Sequence, residues 1–165
     1  MKKILLLLLI AISFSGCEKD DICVDDTTPR LVLEFYNASN PADLKNVTNL
    51  KVNGEGSVGG IDLGVFTGVS KIYLPLKTNA ETTKYSLTNN STTSATNQDF
   101  LEFNYARNEV YVSRACGFKT IFELNSPGGV VHTDAATPDL EWIESISIQT
   151  TNIDTENEVH IKIYF

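Results

Sequence analysis

Histidine and cysteine, the imidazole and thiol that most often hold zinc or act as catalytic base and nucleophile, are scarce in this chain of 165 residues, which has two histidines and three cysteines. His132 and His160 lie apart in sequence, with no further His or Cys at ligand spacing, so zinc lacks the converging donors it requires. No Cys-x-x-Cys is present, which argues against a redox role. No Asp-x-Asp-x-Asp-Gly loop supports calcium, and no serine stands in Gly-x-Ser-x-Gly. Basic residues are also few, 13 Lys and Arg against 21 Asp and Glu. A chain so acidic, without a basic patch or an arginine-rich helix, is repelled by phosphate backbones, so nucleic acid is excluded as a partner. Gly54-Glu55-Gly56-Ser57-Val58-Gly59 matches Gly-x-Gly-x-x-Gly, but Gly60-Ile61-Asp62-Leu63-Gly64 follows where a dinucleotide loop needs a helix N-terminus. It reads as a glycine-rich strand connection, and no cofactor or metal is expected.

What is present begins with Lys2 and Lys3, an apolar run from Ile4 to Ile12, and Phe14-Ser15-Gly16-Cys17. At about 1.5 Å rise per residue the run falls far short of the roughly 30 Å hydrocarbon core, so it reads as a secretion signal and not a spanning helix. Ser15-Gly16-Cys17, with Phe14 where Leu is usual, resembles the lipobox of bacterial lipoproteins. That resemblance implies diacylation of Cys17 and removal of residues 1–16; the other reading leaves Cys17 an ordinary secreted cysteine. Removing Lys2 and Lys3 takes the formal charge from −8 to −10, so attachment to a membrane must come from lipid. Two or three acyl chains, at about 0.8 kcal/mol per buried methylene, suffice.

Glu18, Lys19, Asp20 and Asp21 follow, and Lys19-Asp20-Asp21 resembles the surface-export signal of Bacteroidota lipoproteins. It implies the outer leaflet of the outer membrane and the cell surface. The other readings are a solvated tether and a domain on the periplasmic face. Asp25 and Asp26 extend this acidic linker. Asp26-Thr27-Thr28 resembles the short site at which Bacteroidota attach O-glycans, which would fall on Thr27.

Cys23 and Cys116 remain as an even pair in an oxidising compartment and are expected to be bonded. Enclosing about 94 residues, the bridge would contribute roughly 4 to 5 kcal/mol in the chain-entropy model. The other reading leaves both as buried thiols.

From Pro29 onward apolar residues alternate with period two between Gly, Asn, Asp and Ser breaks, the pattern of half-buried antiparallel strands. Leu31, Leu33 and Phe35 share one face of a first strand, with Val32, Glu34 and Tyr36 on the other. Further strands are expected over Val47 to Asn53 and Val69 to Leu76, the latter at an edge because Pro75 lacks an amide donor. Thr78 to Asn97 reads as one exposed strand followed by a mobile loop. A hairpin is expected from Phe100 to Arg114, turning at Arg107-Asn108, and a strand from Phe118 to Leu124 is broken by Ser126-Pro127-Gly128-Gly129. A last hairpin is expected from Trp142 to Phe165, turning near Thr155-Glu156 and setting Ile148 opposite Ile163 and Ile146 opposite Phe165. On it, Ile161, Ile163 and Phe165 point inward and His160 lies on the surface.

These spacings predict an all-β antiparallel β-sandwich of eight to ten strands, with a lipocalin-like closed β-barrel as the alternative. The organisation is a signal peptide (1–16), an acidic tether (17–28) and one domain (29–165). A membrane-spanning barrel is rejected because residues 37–68 and 78–98 are too polar.

The lipobox, the run Cys17 to Cys23, Thr28-Pro29 and Ala115-Cys116-Gly117-Phe118 together resemble an uncharacterised family of small Bacteroidota lipoproteins, known only as a domain of unknown function. It implies anchorage and carries over no catalytic residues. The expected function is a non-enzymatic binding or accessory module that meets an envelope protein or glycan, with Tyr36, Tyr73, Tyr111 and Trp142 as contacts on the strand face opposite the core. The alternative is an envelope polysaccharide or peptide hydrolase, for which Glu102, Glu123, Glu141 and Glu144 are available.

Overall fold

The computed structural model describes residues 22–24, 27–56, 61–135 and 140–165. The expected signal (1–16), Cys17, Lys19, Asp20, Asp21 and Asp26 lie outside them. Eleven strands, numbered in chain order, and no helix are found among the described residues. One sheet has four strands in the order β4-β1-β11-β9, built from β1 (Leu31–Tyr36), β4 (Lys71–Leu74), β9 (Ser145–Ile148) and β11 (Ile161–Tyr164). The other runs β10-β7-β6-β5-β2-β3, from β2 (Leu50–Gly54), β3 (Ile61–Phe66), β5 (Thr82–Asn89), β6 (Asn97–Ser113), β7 (Gly117–Leu124) and β10 (Asn152–Ile153). Its seventh strand, β8 (Val130–Asp134), also pairs with β6. Neither sheet closes into a barrel, and the architecture is the expected sandwich.

The core lies between the sheets because alternation turns one face of each inward. Leu31, Leu33, Phe35, Ile72, Leu74, Ile161 and Ile163 from the small sheet meet Val52, Tyr85, Leu87, Leu101, Phe103, Tyr105 and Phe122 from the large one. Each such side chain, fully buried, contributes roughly 1.5–3 kcal/mol. β4 is an edge strand with Pro75 just past its end, as the missing amide donor requires. Gly54 pairs with Ile61 across the glycine-rich connection, confirming a strand-to-strand link there.

Four details differ from the sequence expectation. β6 does not turn at Arg107-Asn108; it continues for 17 residues. Arg107, Asn108 and Glu109 are polar because they are exposed there, not because the chain reverses. The reversal comes at Arg114 to Cys116, where Gly117 adopts φ +70°, a conformation that glycine takes without steric penalty. Second, the segment from Thr78 to Asn97 holds one strand followed by a loop, as expected, but the strand is not exposed. β5 lies between β2 and β6 with Thr83, Tyr85, Ser86 and Leu87 buried, and Asn49 ties down the following turn by accepting from Ser91 and donating to Thr92.

Third, β9 and β11 pair antiparallel as expected, but Ile148 faces Ile161 and Ile146 faces Ile163, a slip of two residues. Residues between them leave the hairpin to form β10 on the opposite sheet. Fourth, the sheets are not purely antiparallel, since β1 and β11 run parallel with Leu33 beside Ile161 and Phe35 beside Ile163.

β7 and β8 lie end to end along one edge of β6. Leu124 pairs with Tyr105 and Val130 with Phe103, while Asn125 to Gly129 loop out opposite Asn104. Beyond Tyr105 the β6–β7 hairpin projects as an arm.

Candidate functional site

The outward face of the four-stranded sheet gathers aromatic and charged side chains. Alternation in β1 sends Leu33 and Phe35 inward and Glu34 and Tyr36 outward. Register then places Lys71 and Lys162 on either side of Glu34, and Tyr164 beside Tyr36. The Tyr36 hydroxyl donates to Glu34 Oε2 at 2.6 Å, and Lys71 Nζ lies 3.1 Å from Glu34 Oε1. Lys162 Nζ stands 4.8 Å over the Tyr36 ring, and the Tyr36 and Tyr164 rings are 5.5 Å apart at 36°. The hydrogen bond to the Glu34 carboxylate, followed by burial, pushes the Tyr36 phenol up to about 12, so it remains a donor at neutral pH.

Two strand pleats away, about 13 Å along the sheet, Tyr73 pairs with Val32 and carries the Arg30 guanidinium 4.8 Å over its ring. Arg30 binds Glu156 through both guanidinium edge nitrogens and its backbone amide. The pair walls a hollow of about 450 Å³ that Thr27, Thr28, Asp154 and Asn157 also line. Behind it His160 is fully buried and not a surface residue: its Nδ1 accepts the Val32 amide at 2.8 Å, while its own amide donates to the Val32 carbonyl. The imidazole thus replaces a rung of the β1–β11 ladder, and burial lowers its pKa.

On the large sheet, Asp99 is fully buried and accepts the backbone amides of Trp142 (3.3 Å) and Ile143 (2.9 Å), with His132 Nε2 at 2.8 Å. His132 Nδ1 faces Glu141 Oε2 at 3.9 Å. An imidazole oriented by a buried carboxylate is half of a catalytic dyad; Asp99 also has a structural task, pinning residues 140–143. Asn97 also donates to the carbonyl of Leu140, which sits at φ +74°.

Of the four aromatic contacts read from the sequence, only Tyr36 and Tyr73 share the outer face of the small sheet. Tyr111 sits on the arm beside Phe118. Trp142, expected to face outward, packs on the core: its indole donates to the Leu87 carbonyl and its ring meets Phe165 edge-on at 5.4 Å. Cys23 and Cys116 are bonded, with Cα atoms 4.8 Å apart, and Thr27 is exposed nearby. Glu102, Glu123, Glu141 and Glu144 are spread over β6, β7 and the segment before β9. Sequence reading missed Lys71, Lys162, Tyr164 and Glu34, although the alternation Lys162-Ile163-Tyr164 against an inward Ile163 contained the signal. It also missed Asp99, an acid at an inward strand position.

A search of curated proteins and one of solved structures each find no match. The model of a family of unknown function, DUF6452, matches residues 49–165, more than two-thirds of the length, and covers every strand but β1. The chain therefore belongs to the DUF6452 family.

Proposed function

We propose that this chain is a lipid-anchored envelope protein, acylated on Cys17, whose domain is a non-enzymatic module that binds a glycan on the outer face of its four-stranded sheet. The lipobox-like Ser15-Gly16-Cys17 supports the anchor, and Lys19-Asp20-Asp21 favours the cell surface over the periplasmic face. The observation that carries the binding reading is the Tyr36–Tyr164 pair set beside Lys162, Glu34 and Lys71. Paired rings offer apolar faces to the C–H side of a sugar, and the carboxylate and two ammonium groups offer hydrogen bonds to its hydroxyls. In a chain this acidic, two lysines on one face also favour an acidic sugar.

Titration calorimetry of the purified protein with polysaccharide from its own envelope tests this. Tyr164→Ser should weaken binding about tenfold or more, as expected for loss of a stacked ring. Unchanged affinity in that variant, or no binding of any envelope polysaccharide, removes the proposal. The intact mass of the mature protein tests the anchor independently.

A second reading, an envelope hydrolase, rests on the Asp99–His132–Glu141 arrangement. It requires that His132→Ala abolish release of reducing ends or amines from envelope polymers. Absence of such release by the unaltered protein rejects it.

A further inference from the structure

The arm formed by β6 beyond Tyr105 and by β7 carries an apolar patch that the sandwich does not use. Cross-strand pairing sets Tyr105 opposite Leu124, Arg107 opposite Phe122, Glu109 opposite Thr120 and Tyr111 opposite Phe118, all on the core-facing side. Tyr105 and Leu124 are buried, yet Tyr111 is 55% and Phe118 68% exposed, their rings in edge-to-face contact at 5.4 Å. The core face of the sheet thus continues past the core and ends in two uncovered aromatic rings.

The same tip is where the N-terminal segment is fastened. Cys23 is bonded to Cys116, two residues before Phe118, and Thr28 Oγ1 accepts the Thr120 amide farther down the arm. Phe118 lines a hollow of about 250 Å³ together with Cys23, Cys116 and Val112. Ile22 and Val24, flanking Cys23, are exposed as well, at 74% and 86%. Five residues lie between Cys17 and Cys23, and even fully extended the six steps reach only about 20 Å. Whatever holds Cys17 therefore lies within that distance of the disulfide.

We propose that the tip of the β6–β7 arm is the membrane-facing end of the domain, with Tyr111 and Phe118 seated among the headgroups of the bilayer that holds the acyl chains of Cys17. The inference rests on the lipid anchor proposed above and holds for either leaflet. Aromatic rings favour that depth, where one side is apolar and the other wet, and the exposed Arg114 at the turn suits a headgroup environment. The linker carries Glu18, Asp20, Asp21, Asp25 and Asp26, which anionic lipid would repel, so zwitterionic vesicles isolate the contribution of the rings. Seating the arm on the membrane takes Tyr111 and Phe118 out of water.

The test uses the mature protein purified from its own membrane and reconstituted into phosphatidylcholine vesicles containing a photoreactive, diazirine-bearing phosphatidylcholine. After irradiation, mass spectrometry of the digest should find label on the peptides holding Tyr111 and Phe118 several-fold above the peptide holding Tyr73. The doubly substituted Tyr111→Ser, Phe118→Ser protein should float with the vesicles through its acyl chains and lose that excess. Label confined to the acylated N-terminal peptide, or spread evenly between the tip and Tyr73, overturns the inference while leaving the anchor intact. An N-terminal peptide without acyl mass overturns the anchor reading, and this inference with it.

Discussion

Arg30 grips Glu156 through three hydrogen bonds: its backbone amide (2.9 Å) and Nε (2.8 Å) donate to Oε1 and its Nη2 (2.7 Å) to Oε2. The clasp ties the residue before β1 to the loop before β11. The guanidinium holds the Glu156 carboxyl below its usual range. A carboxylate with a depressed folded pKa stabilises above its unfolded value of about 4.3, and that contribution disappears as pH falls through the folded value. Both groups are partly solvated, so Glu156→Gln should destabilise by only about 1 kcal/mol at pH 7. Urea midpoints of variant and parent should converge near pH 3, and a constant gap across that range would contradict the assignment.

His160 gives the opposite kind of titration. Burial lowers its pKa, against the opposing pull of Glu158, Asp154 and Glu156, so the neutral ring is the folded form. The unfolded chain takes up a proton near pH 6.5 before the folded one does, so stability should fall as pH drops from about 6.5 through the lowered value. His160→Asn keeps an acceptor for the Val32 amide and should flatten this slope. His160→Ala orphans that amide and should cost about 1–3 kcal/mol above pH 6.5, where the ring is neutral in both folded and unfolded chains, with a smaller gap at lower pH. Equal pH slopes for the parent and His160→Asn would refute the role.

Asp99 holds the segment that carries Trp142, the one tryptophan of the chain. Asp99→Asn replaces a side chain whose two oxygens accept two backbone amides with one that offers a single acceptor, and should cost about 2–3 kcal/mol, with Trp142 fluorescence shifting to the red as its surroundings admit water. His132→Ala removes one neighbour of the same carboxylate and should cost about half as much. Identical losses in the two variants would show that the backbone contacts are not the principal task of Asp99.

The Cys23–Cys116 bond spans a sequence separation of 93, for which chain entropy assigns about 4–5 kcal/mol. Strong reductant should lower the denaturation midpoint of the parent protein and leave a Cys23→Ser, Cys116→Ser protein unmoved. A parent indifferent to reductant would mean that the bond does not form in solution.

The fold class was legible wherever alternation met burial on one side, as in Leu31, Leu33 and Phe35 or Ile72, Leu74 and Leu76. It misled where a strand outran its cover. Arg107, Asn108 and Glu109 look like a turn because both faces are polar there, yet the backbone simply continues. Period-two patterns also cannot distinguish registers that differ by two, hence the slip between Ile148 and Ile161. The outer-face site was half visible. Tyr36 and Tyr73 were identifiable as outward aromatics, but their neighbours Lys162 and Tyr164 come from a strand more than a hundred residues later whose parallel placement no local pattern encodes.

The parallel pairing of β1 with β11 also sets a schedule for folding. Leu33 and Phe35 cannot find Ile161 and Ile163 until nearly the whole intervening chain is in position, so the middle of the small sheet should assemble among the last events. Until then one side of β1 offers unsatisfied amides and carbonyls to any extended segment that drifts past. Slow maturation, and a need for chaperoning of that single ribbon during biogenesis, are the expected outcome of joining the earliest strand to the latest.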